Sequence, residues 1–79
     1  SLLPSTPPVE VKTITLPDGN QFIGEFKNDV RNGMGIKFYQ NGATYTGCWV
    51  NDIRHGKGVK SHANGTRVEV EYVNGEKIT

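Results

Sequence analysis

The sequence repeats itself every 23 residues, and this period constrains the fold more than any other feature. Turn glycines stand at Gly19, Gly42 and Gly65, each directly after an Asp or Asn. The same interval relates three further sets of positions: Phe22, Tyr45 and Val68; Phe26, Trp49 and Tyr72; and Asn28, Asn51 and Asn74. A fixed period of this size is typical of repeat proteins, in which each unit buries its apolar face against its neighbours. We therefore expect an array of like units, two complete and a shortened third.

Each unit predicts a β-hairpin. An Asp-Gly or Asn-Gly turn is followed by alternating aromatic and polar residues, which is the pattern of a half-buried strand. The expected strands cover Val9–Leu16, Asn20–Lys27, Met34–Tyr39, Ala43–Val50, Lys57–His62 and Thr66–Val73. We expect polar loops at residues 28–33 and 51–56, two-residue primed turns at Asn41-Gly42 and Asn64-Gly65, and a last turn at Asn74-Gly75 before a short tail. The predicted fold class is all-β, an antiparallel β-hairpin meander.

Strand geometry places the aromatic residues together. Successive side chains of a strand point to opposite faces, so Phe22, Gly24 and Phe26 share one face with their equivalents in the later units. The residues between them, such as Ile23 and Cys48, point the other way and form a mixed, more polar face. Glycine between two aromatic residues leaves room for a ring to lie flat, which is a packing role that needs no ligand.

The chain divides into a short segment and one domain. Residues 1–8 contain Pro4, Pro7 and Pro8 among Ser and Thr, a composition that predicts a flexible Pro-rich N-terminal tail. Residues 9–79 form the expected domain, with repeats at about 18–40 and 41–63 and a partial repeat at 64–79. Because the first residue is not Met, one interpretation is that the sequence is a fragment of a larger protein.

Composition argues against several classes of function. A net charge of +1 gives no case for nucleic-acid binding. The single cysteine, Cys48, excludes an internal disulfide framework and fits a reducing compartment. His55 and His62 lack zinc-ligand spacing, and nothing orients a base against a nucleophile. Neither a signal peptide nor a membrane-spanning run is visible. We therefore predict no enzymatic activity, no cofactor and no metal.

The repeated motif resembles a known family. The pattern aromatic-x-Gly-x-aromatic, a polar loop and Gly-x-Gly runs as Phe22-Ile23-Gly24-Glu25-Phe26 to Gly33-Met34-Gly35, and as Tyr45-Thr46-Gly47-Cys48-Trp49 to Gly56-Lys57-Gly58. Together with a degenerate copy from Val68, it is similar to the MORN (membrane occupation and recognition nexus) repeat over about residues 18–79. Asp29 and Asp52 stand where the family often has Gly, and Val70 replaces the middle Gly of the third copy.

The resemblance implies a structure and a set of roles. The family forms an elongated, single-layer β-hairpin array with an aromatic-lined groove, used as a scaffold. Its members serve in protein–protein contacts and homodimers, and some act beside membranes or phosphoinositides. MORN repeats also occur attached to catalytic domains, so a regulatory segment of a larger enzyme is a further alternative.

Two sets of residues are candidate sites. The first set is aromatic and would be either the core of a thin fold or a core that also serves as a partner-binding groove: Phe22, Phe26, Tyr45, Trp49 and Tyr72. The second set is basic and occupies two repeat columns: Arg31, Arg54 and Lys77, and Lys37 and Lys60. These basic residues would contact phospholipid or another anion, or form a solvated loop row in which Asp29 and Asp52 offset Arg31 and Arg54.

The function expected from these observations is a non-catalytic protein-interaction scaffold. It would bind a protein partner or a second copy of the chain through the aromatic groove, with Trp49→Ala changing binding more than folding. The alternatives are a membrane- or phosphoinositide-associated module that uses the basic row, and a regulatory segment of an enzyme. We expect a cytoplasmic location, with cytoskeletal or membrane association as further options.

Overall fold

Residues 9–79, which the computed structural model describes, form one antiparallel sheet of seven strands in sequence order. The strands are β1 (Glu10–Thr15), β2 (Gln21–Lys27), β3 (Val30–Phe38), β4 (Thr44–Val50), β5 (Ile53–Ser61), β6 (Arg67–Val73) and β7 (Glu76–Lys77). The sheet measures 51 × 25 × 19 Å, and each strand pairs only with its neighbours in sequence. The predicted all-β, single-layer hairpin meander is therefore confirmed. The predicted tail at 1–8 lies outside the described residues.

The tips of the hairpins differ from the prediction. Asn28 and Asp29 have φ of 53° and 63°, and Asn51 and Asp52 have φ of 50° and 69°. Two consecutive left-handed residues make a two-residue type I′ turn, which matches the twist of paired strands and is tolerated by Asn and Asp. The expected six-residue loops at 28–33 and 51–56 are therefore wrong, because β3 and β5 begin directly after these turns.

The connections between repeats also differ. The Gly42 N–H donates to the Tyr39 carbonyl (3.1 Å) and the Tyr39 N–H donates to the Ala43 carbonyl (2.9 Å). Gly42 has a φ of 92°, while Asn41 is not left-handed. This is a three-residue loop, a type I turn closed by a left-handed glycine, and not the predicted primed turn. The same bonding recurs at residues 16–20 and 62–66, so all three repeat connections are alike.

The chain does not end in the expected tail. Asn74 (φ 51°) and Gly75 (φ 87°) form another turn of two left-handed residues. The residues after it, Glu76 and Lys77, return as β7 and pair with Val73 and Tyr72. The shortened third copy thus closes its own hairpin, because its turn keeps the geometry of the two before it.

The aromatic side chains form a continuous core along the sheet. Consecutive rings meet edge to face, with centroid distances of 5.6 Å for Phe26–Phe22, 4.8 Å for Phe22–Trp49, 5.2 Å for Trp49–Tyr45 and 5.5 Å for Tyr45–Tyr72. Edge-to-face contact is a favoured geometry for aromatic pairs. Since Phe22 lies in β2 and Trp49 in β4, their contact joins one repeat to the next.

Glycines let two of these rings lie against the backbone. A Cβ on Gly24 would come within 2.8 Å of the Phe22 ring, and Gly35 lies against the same ring from the facing strand. The Tyr45 ring lies over Gly47 and Gly58 in the same way. The third copy has Val68 in place of the ring, so its middle position can carry the buried Val70 side chain.

One ring carries a hydroxyl that the core does not satisfy. The Tyr45 hydroxyl is buried and has no hydrogen-bond partner among residues 9–79, whereas its equivalent, Phe22, has no hydroxyl. A buried unpaired polar group costs about 1–3 kcal/mol. We therefore expect Tyr45→Phe to raise the free energy of unfolding by about 1 kcal/mol, as measured by urea denaturation. An equal or lower stability would show that the hydroxyl is hydrated or paired.

The same variant should change the response to alkaline pH. Burial, reinforced by Tyr72 and opposed by Arg54, raises the pKa of Tyr45 above its ordinary value of 10.0. The contribution of the neutral phenol is fully present below pH 10 and is lost as the pH rises through the folded-state pKa. As the pH rises above 10, the wild type should therefore lose more stability than Tyr45→Phe, which controls for all other titrating groups.

Candidate functional site

The five aromatic residues predicted to line a groove lie inside the molecule. Phe22 and Tyr45 are fully buried, and Phe26, Trp49 and Tyr72 are 2–7% exposed. They share one face of the sheet, which we call the aromatic face; the opposite face is called the outer face. Because their rings are covered, they stabilise the fold and do not line an open groove. Recognition of a partner through these rings themselves is an expectation that the geometry does not favour.

Long cationic side chains form much of the cover. The Arg31 guanidinium lies 5.5 Å from the centre of the Phe22 ring, and the Lys12 ammonium lies 4.7 Å from that of Phe26. The Arg54 guanidinium lies 4.2 Å from the centre of the Tyr72 ring. Such side chains bury their aliphatic stems on apolar surface while a cation interacts with the ring face. A single-layer sheet can thus bury its aromatic face without a second layer.

The predicted basic row lies on this aromatic face. Arg31 pairs with Phe26, Arg54 with Trp49 and Lys77 with Tyr72, and residues directly opposite each other share a face. In the second basic column, Lys37 stands between Phe22 and Tyr45, and Lys60 stands between Tyr45 and Val68. The expected solvated loop row is therefore wrong. These basic residues belong to strands and not to loops. Because the turns before them are only two residues long, the strands start early enough for their side chains to lie over the rings.

The acidic partners of these cations also differ from the expectation. Asp52 pairs with Arg31 of the preceding repeat (3.1 Å), and not with Arg54. Asp29 likewise reaches back to Lys12 (3.1 Å). A turn residue in this array lies beside the previous hairpin, which is why each aspartate meets the cation of the earlier unit.

Three members of the basic row have no such partner. Within residues 9–79, no carboxylate lies within 4.0 Å of the charged groups of Arg54, Lys60 or Lys77. Lys37 lies 3.8 Å from the Asp18 carboxylate. Burial lowers the pKa of Lys37 below its ordinary value, with Asp18 opposing the shift and Arg54 and Arg31 adding to it. The middle of the aromatic face is thus an electropositive surface.

The outer face presents an apolar surface that the sequence reasoning missed. Ile23 pairs with Ile36, Ile36 with Thr46, and Thr46 with Val59, which places these side chains in one row across four strands. Ile23 and Val59 are each 37% exposed, and beside the row Met34 is 51% exposed and Phe38 41%. Part of this face is a groove of about 740 Å³ lined by residues that include Met34, Thr46, Lys57, Val59 and Glu71. The alternation of apolar and polar residues within each strand indicates that these side chains share a face. Only the register between strands shows that they are neighbours in one surface.

The side chains of Cys48 and His55, the candidate reactive groups, contact neighbouring residues of the sheet. The Cys48 thiol lies on the outer face, 3.2 Å from the Met34 sulfur, and His55 Nδ1 accepts a hydrogen bond from the Asn74 N–H (3.2 Å). Within residues 9–79, no three His, Cys, Asp or Glu side chains converge as metal ligands. That part of the chain also contains no helix long and apolar enough to cross a membrane.

Comparison with known proteins identifies the same repeated unit. The family model of the MORN repeat matches residues 22–44 and 45–67, two consecutive units that span more than half of the chain. None of the curated proteins compared with the chain matches it. MORN repeats are non-catalytic modules that are generally associated with protein or membrane interaction. Given this match, the seven-stranded meander and the repeated glycine–aromatic packing, the chain belongs to the MORN repeat family.

Proposed function

We propose that the chain is a non-catalytic protein-interaction module that binds a protein through its outer face. One observation carries this proposal: the outer face exposes adjacent apolar side chains in the single-layer sheet. Contiguous exposed apolar surface marks interaction sites in soluble proteins. The buried rings of the aromatic face offer a partner far less apolar surface.

The size of the face favours a macromolecule over a small ligand. The sheet has a broad outline of 51 by 25 Å. A standard protein interface buries ~800 Å² on each partner, which an outline of this size accommodates. The partner is either another protein or a second copy of the chain, and the experiment below distinguishes them.

The test changes the outer face while leaving the core intact. The double variant Met34→Lys/Val59→Lys places two cations in the centre of the exposed surface. Its matched control, Val9→Lys/Ile78→Lys, adds the same charge at two exposed apolar residues outside the strands. Light scattering over a dilution series would report self-association, and affinity capture with quantitative mass spectrometry would report other partners.

We expect wild type and control to retain the same partner, or the same dimer, and the Met34→Lys/Val59→Lys variant to lose it. Two cations introduced into an apolar interface lose their hydration without gaining a partner, which is costly. A monomeric wild type that captures nothing beyond the bait-free resin would contradict the proposal. Equal capture by all three proteins would place any binding on another surface.

Membrane association is a second candidate, favoured by the cations Arg54, Lys60 and Lys77 that lack acidic partners among residues 9–79. Each basic residue near an anionic membrane contributes only about 1 kcal/mol, so three of them predict weak, salt-sensitive binding. Sedimentation with phosphatidylserine vesicles at low and high salt would test it, with Lys60→Glu/Lys77→Glu as the variant. That the protein is cytoplasmic, and that the domain is attached to an enzyme, remain predictions that are compatible with both candidate functions.

A further inference from the structure

We propose that Arg54 forms a binding slot for a carboxylate that a protein partner supplies from an Asp or Glu side chain. We call this the Arg54 slot, defined by Arg54, Ile53 and Gly75. The proposal rests on the proposed function, because it requires a protein partner, and it adds a second contact surface on the aromatic face. Its basis is that the chain contains an occupied copy of the same site one repeat earlier.

The occupied copy is Arg31 with Asp52. Asp52 Oδ1 accepts the Arg31 backbone N–H (2.7 Å) and the Nε–H (3.1 Å), and the Asp52 carbonyl accepts from Nη2 (3.1 Å). The Asp52 N–H in turn donates to the Arg31 carbonyl (2.9 Å). One carboxylate oxygen therefore takes two donors of the same arginine, of which one belongs to the backbone and is fixed in direction.

At Arg54 the backbone half of this arrangement is present and the carboxylate is missing. Gly75 stands one period after Asp52, donates its N–H to the Arg54 carbonyl (2.9 Å) and has a similar left-handed φ of 87°. Glycine has no side chain, so among residues 9–79 no carboxylate takes the place that Asp52 has beside Arg31. Arg54 follows the two-residue turn in the same register as Arg31, so its N–H points toward the Gly75 position as that of Arg31 points toward Asp52.

Packing and a hydrogen bond fix the position of the Arg54 guanidinium beside the slot. It lies 4.2 Å from the centre of the Tyr72 ring and 5.6 Å from that of Tyr45, and Nη1 lies 3.4 Å from the Tyr39 hydroxyl. An arginine packed in this way loses less side-chain freedom on binding than one in solvent. A preorganised cation beside a backbone N–H that faces the Gly75 position is suited to a charge-assisted hydrogen bond.

The surroundings favour an acidic side chain. A cavity of about 260 Å³ opens here, lined by Arg31, Lys37, Trp49, Asp52, Ile53, Arg54 and Gly75. Three of these residues are cationic and one is acidic, so the field favours an anion. A Cβ on Gly75 would lie 2.8 Å from the Ile53 γ-methyl, so the exposed Ile53 side chain borders this place and must rotate aside in Gly75→Asp. Because the equivalent position at Arg31 holds the Asp52 carboxylate, the ligand we propose is a protein carboxylate, and lipid phosphate is an outcome of the test.

The experiment uses a fluorescent decapeptide rich in Glu as the probe and the full chain as the receptor. Gly75→Asp should fill the slot from within, as Asp52 does, and Arg54→Gln should remove its charge. Arg67→Gln removes an exposed cation of β6 on the outer face and is the matched control. We expect Gly75→Asp and Arg54→Gln each to weaken peptide binding at least about tenfold, with the control unchanged.

Nitrogen–proton NMR adds a readout at the slot itself. Peptide should shift the Arg54 backbone N–H and Nε–H resonances downfield in the wild type, and Gly75→Asp should show such shifts without peptide. The proposal is overturned if Gly75→Asp binds the peptide as wild type does, or if the Arg54 resonances do not respond. Binding of phosphatidylserine vesicles through Arg54, without binding of peptide, would also overturn it in favour of lipid phosphate.

These outcomes are distinguishable from a failure of the proposed function. If wild type captures partners on its outer face and Gly75→Asp captures the same ones equally well, the interaction module stands and the slot fails. If wild type captures no protein, the proposed function fails, whatever the peptide does. Peptide binding that persists in Met34→Lys/Val59→Lys would show that the two surfaces act separately.

Discussion

Replacing Trp49 with alanine is expected to remove a large part of the domain's stability. Trp49 is 2% exposed, and its ring contacts Phe22 at 4.8 Å and Tyr45 at 5.2 Å. Truncating a buried tryptophan costs about 3–5 kcal/mol, because the cavity collapses only in part. A domain of this size has a total stability of roughly 4–12 kcal/mol at ordinary values per residue. The loss is thus a large fraction of what holds the sheet together.

Thermal and urea denaturation followed by circular dichroism would measure this loss. Met34→Ala is the control, since Met34 is 51% exposed on the outer face and should cost less than about 1 kcal/mol. A fall in melting temperature similar to that of the control would contradict the role of Trp49 in the core. The expectation drawn from the sequence, that Trp49→Ala changes binding more than folding, is replaced by this prediction because the ring is buried.

Gly58→Ala should have the second largest effect, about 2–4 kcal/mol of lost stability. The added methyl would stand 2.6 Å from the Tyr45 ring carbon Cζ and 2.8 Å from the Thr46 carbonyl oxygen. Neither neighbour can yield easily, because Tyr45 is fully buried and the carbonyl belongs to the paired strand β4. The methyl would therefore push the ring out of the core or separate the strands.

The matched control separates this steric effect from the backbone preference of glycine. Gly65 has a left-handed φ of 92°, and a Cβ there would meet nothing within 4 Å. Gly65→Ala should therefore cost only about 1 kcal/mol, which is the penalty for a left-handed alanine. Equal losses in urea denaturation for the two variants would show that Gly58 is required for a reason other than the Tyr45 ring.

Much of the fold could be predicted because its signals are local. Alternation of apolar and polar residues gave the strands and their faces, and the period gave the order of the hairpins. The hairpin turns were predicted too long, because both Asn28-Asp29 and Gly33 have the residue types that occur in turns. The choice between them is made across the strands, where Gly24 pairs with Gly35 and leaves room for the Phe22 ring. A single strand does not contain that information.

The sequence identified the residues of the aromatic face, but neither their arrangement nor the apolar outer face was predicted. The sequence identified the aromatic set and the basic columns, yet treated them as a groove and a separate row. The register shows that Arg31 stands opposite Phe26 and Arg54 opposite Trp49, so the cations cover the rings. The pairing of Asp52 with Arg31 was also missed, since it joins residues 21 positions apart through the contact of two hairpins.

The sequence by itself determined the repeat, the family, the strand order and which residues share a face, because period-two alternation and turn chemistry act within a few residues. Only the tertiary structure decided that the rings are buried, that the outer face is the open apolar surface, and that no carboxylate from the described part of the chain pairs with Arg54 as Asp52 pairs with Arg31. Those properties depend on which side chains meet across strands. In a single-layer sheet that meeting is set by register and by the exact place of each turn, which composition and periodicity leave undetermined.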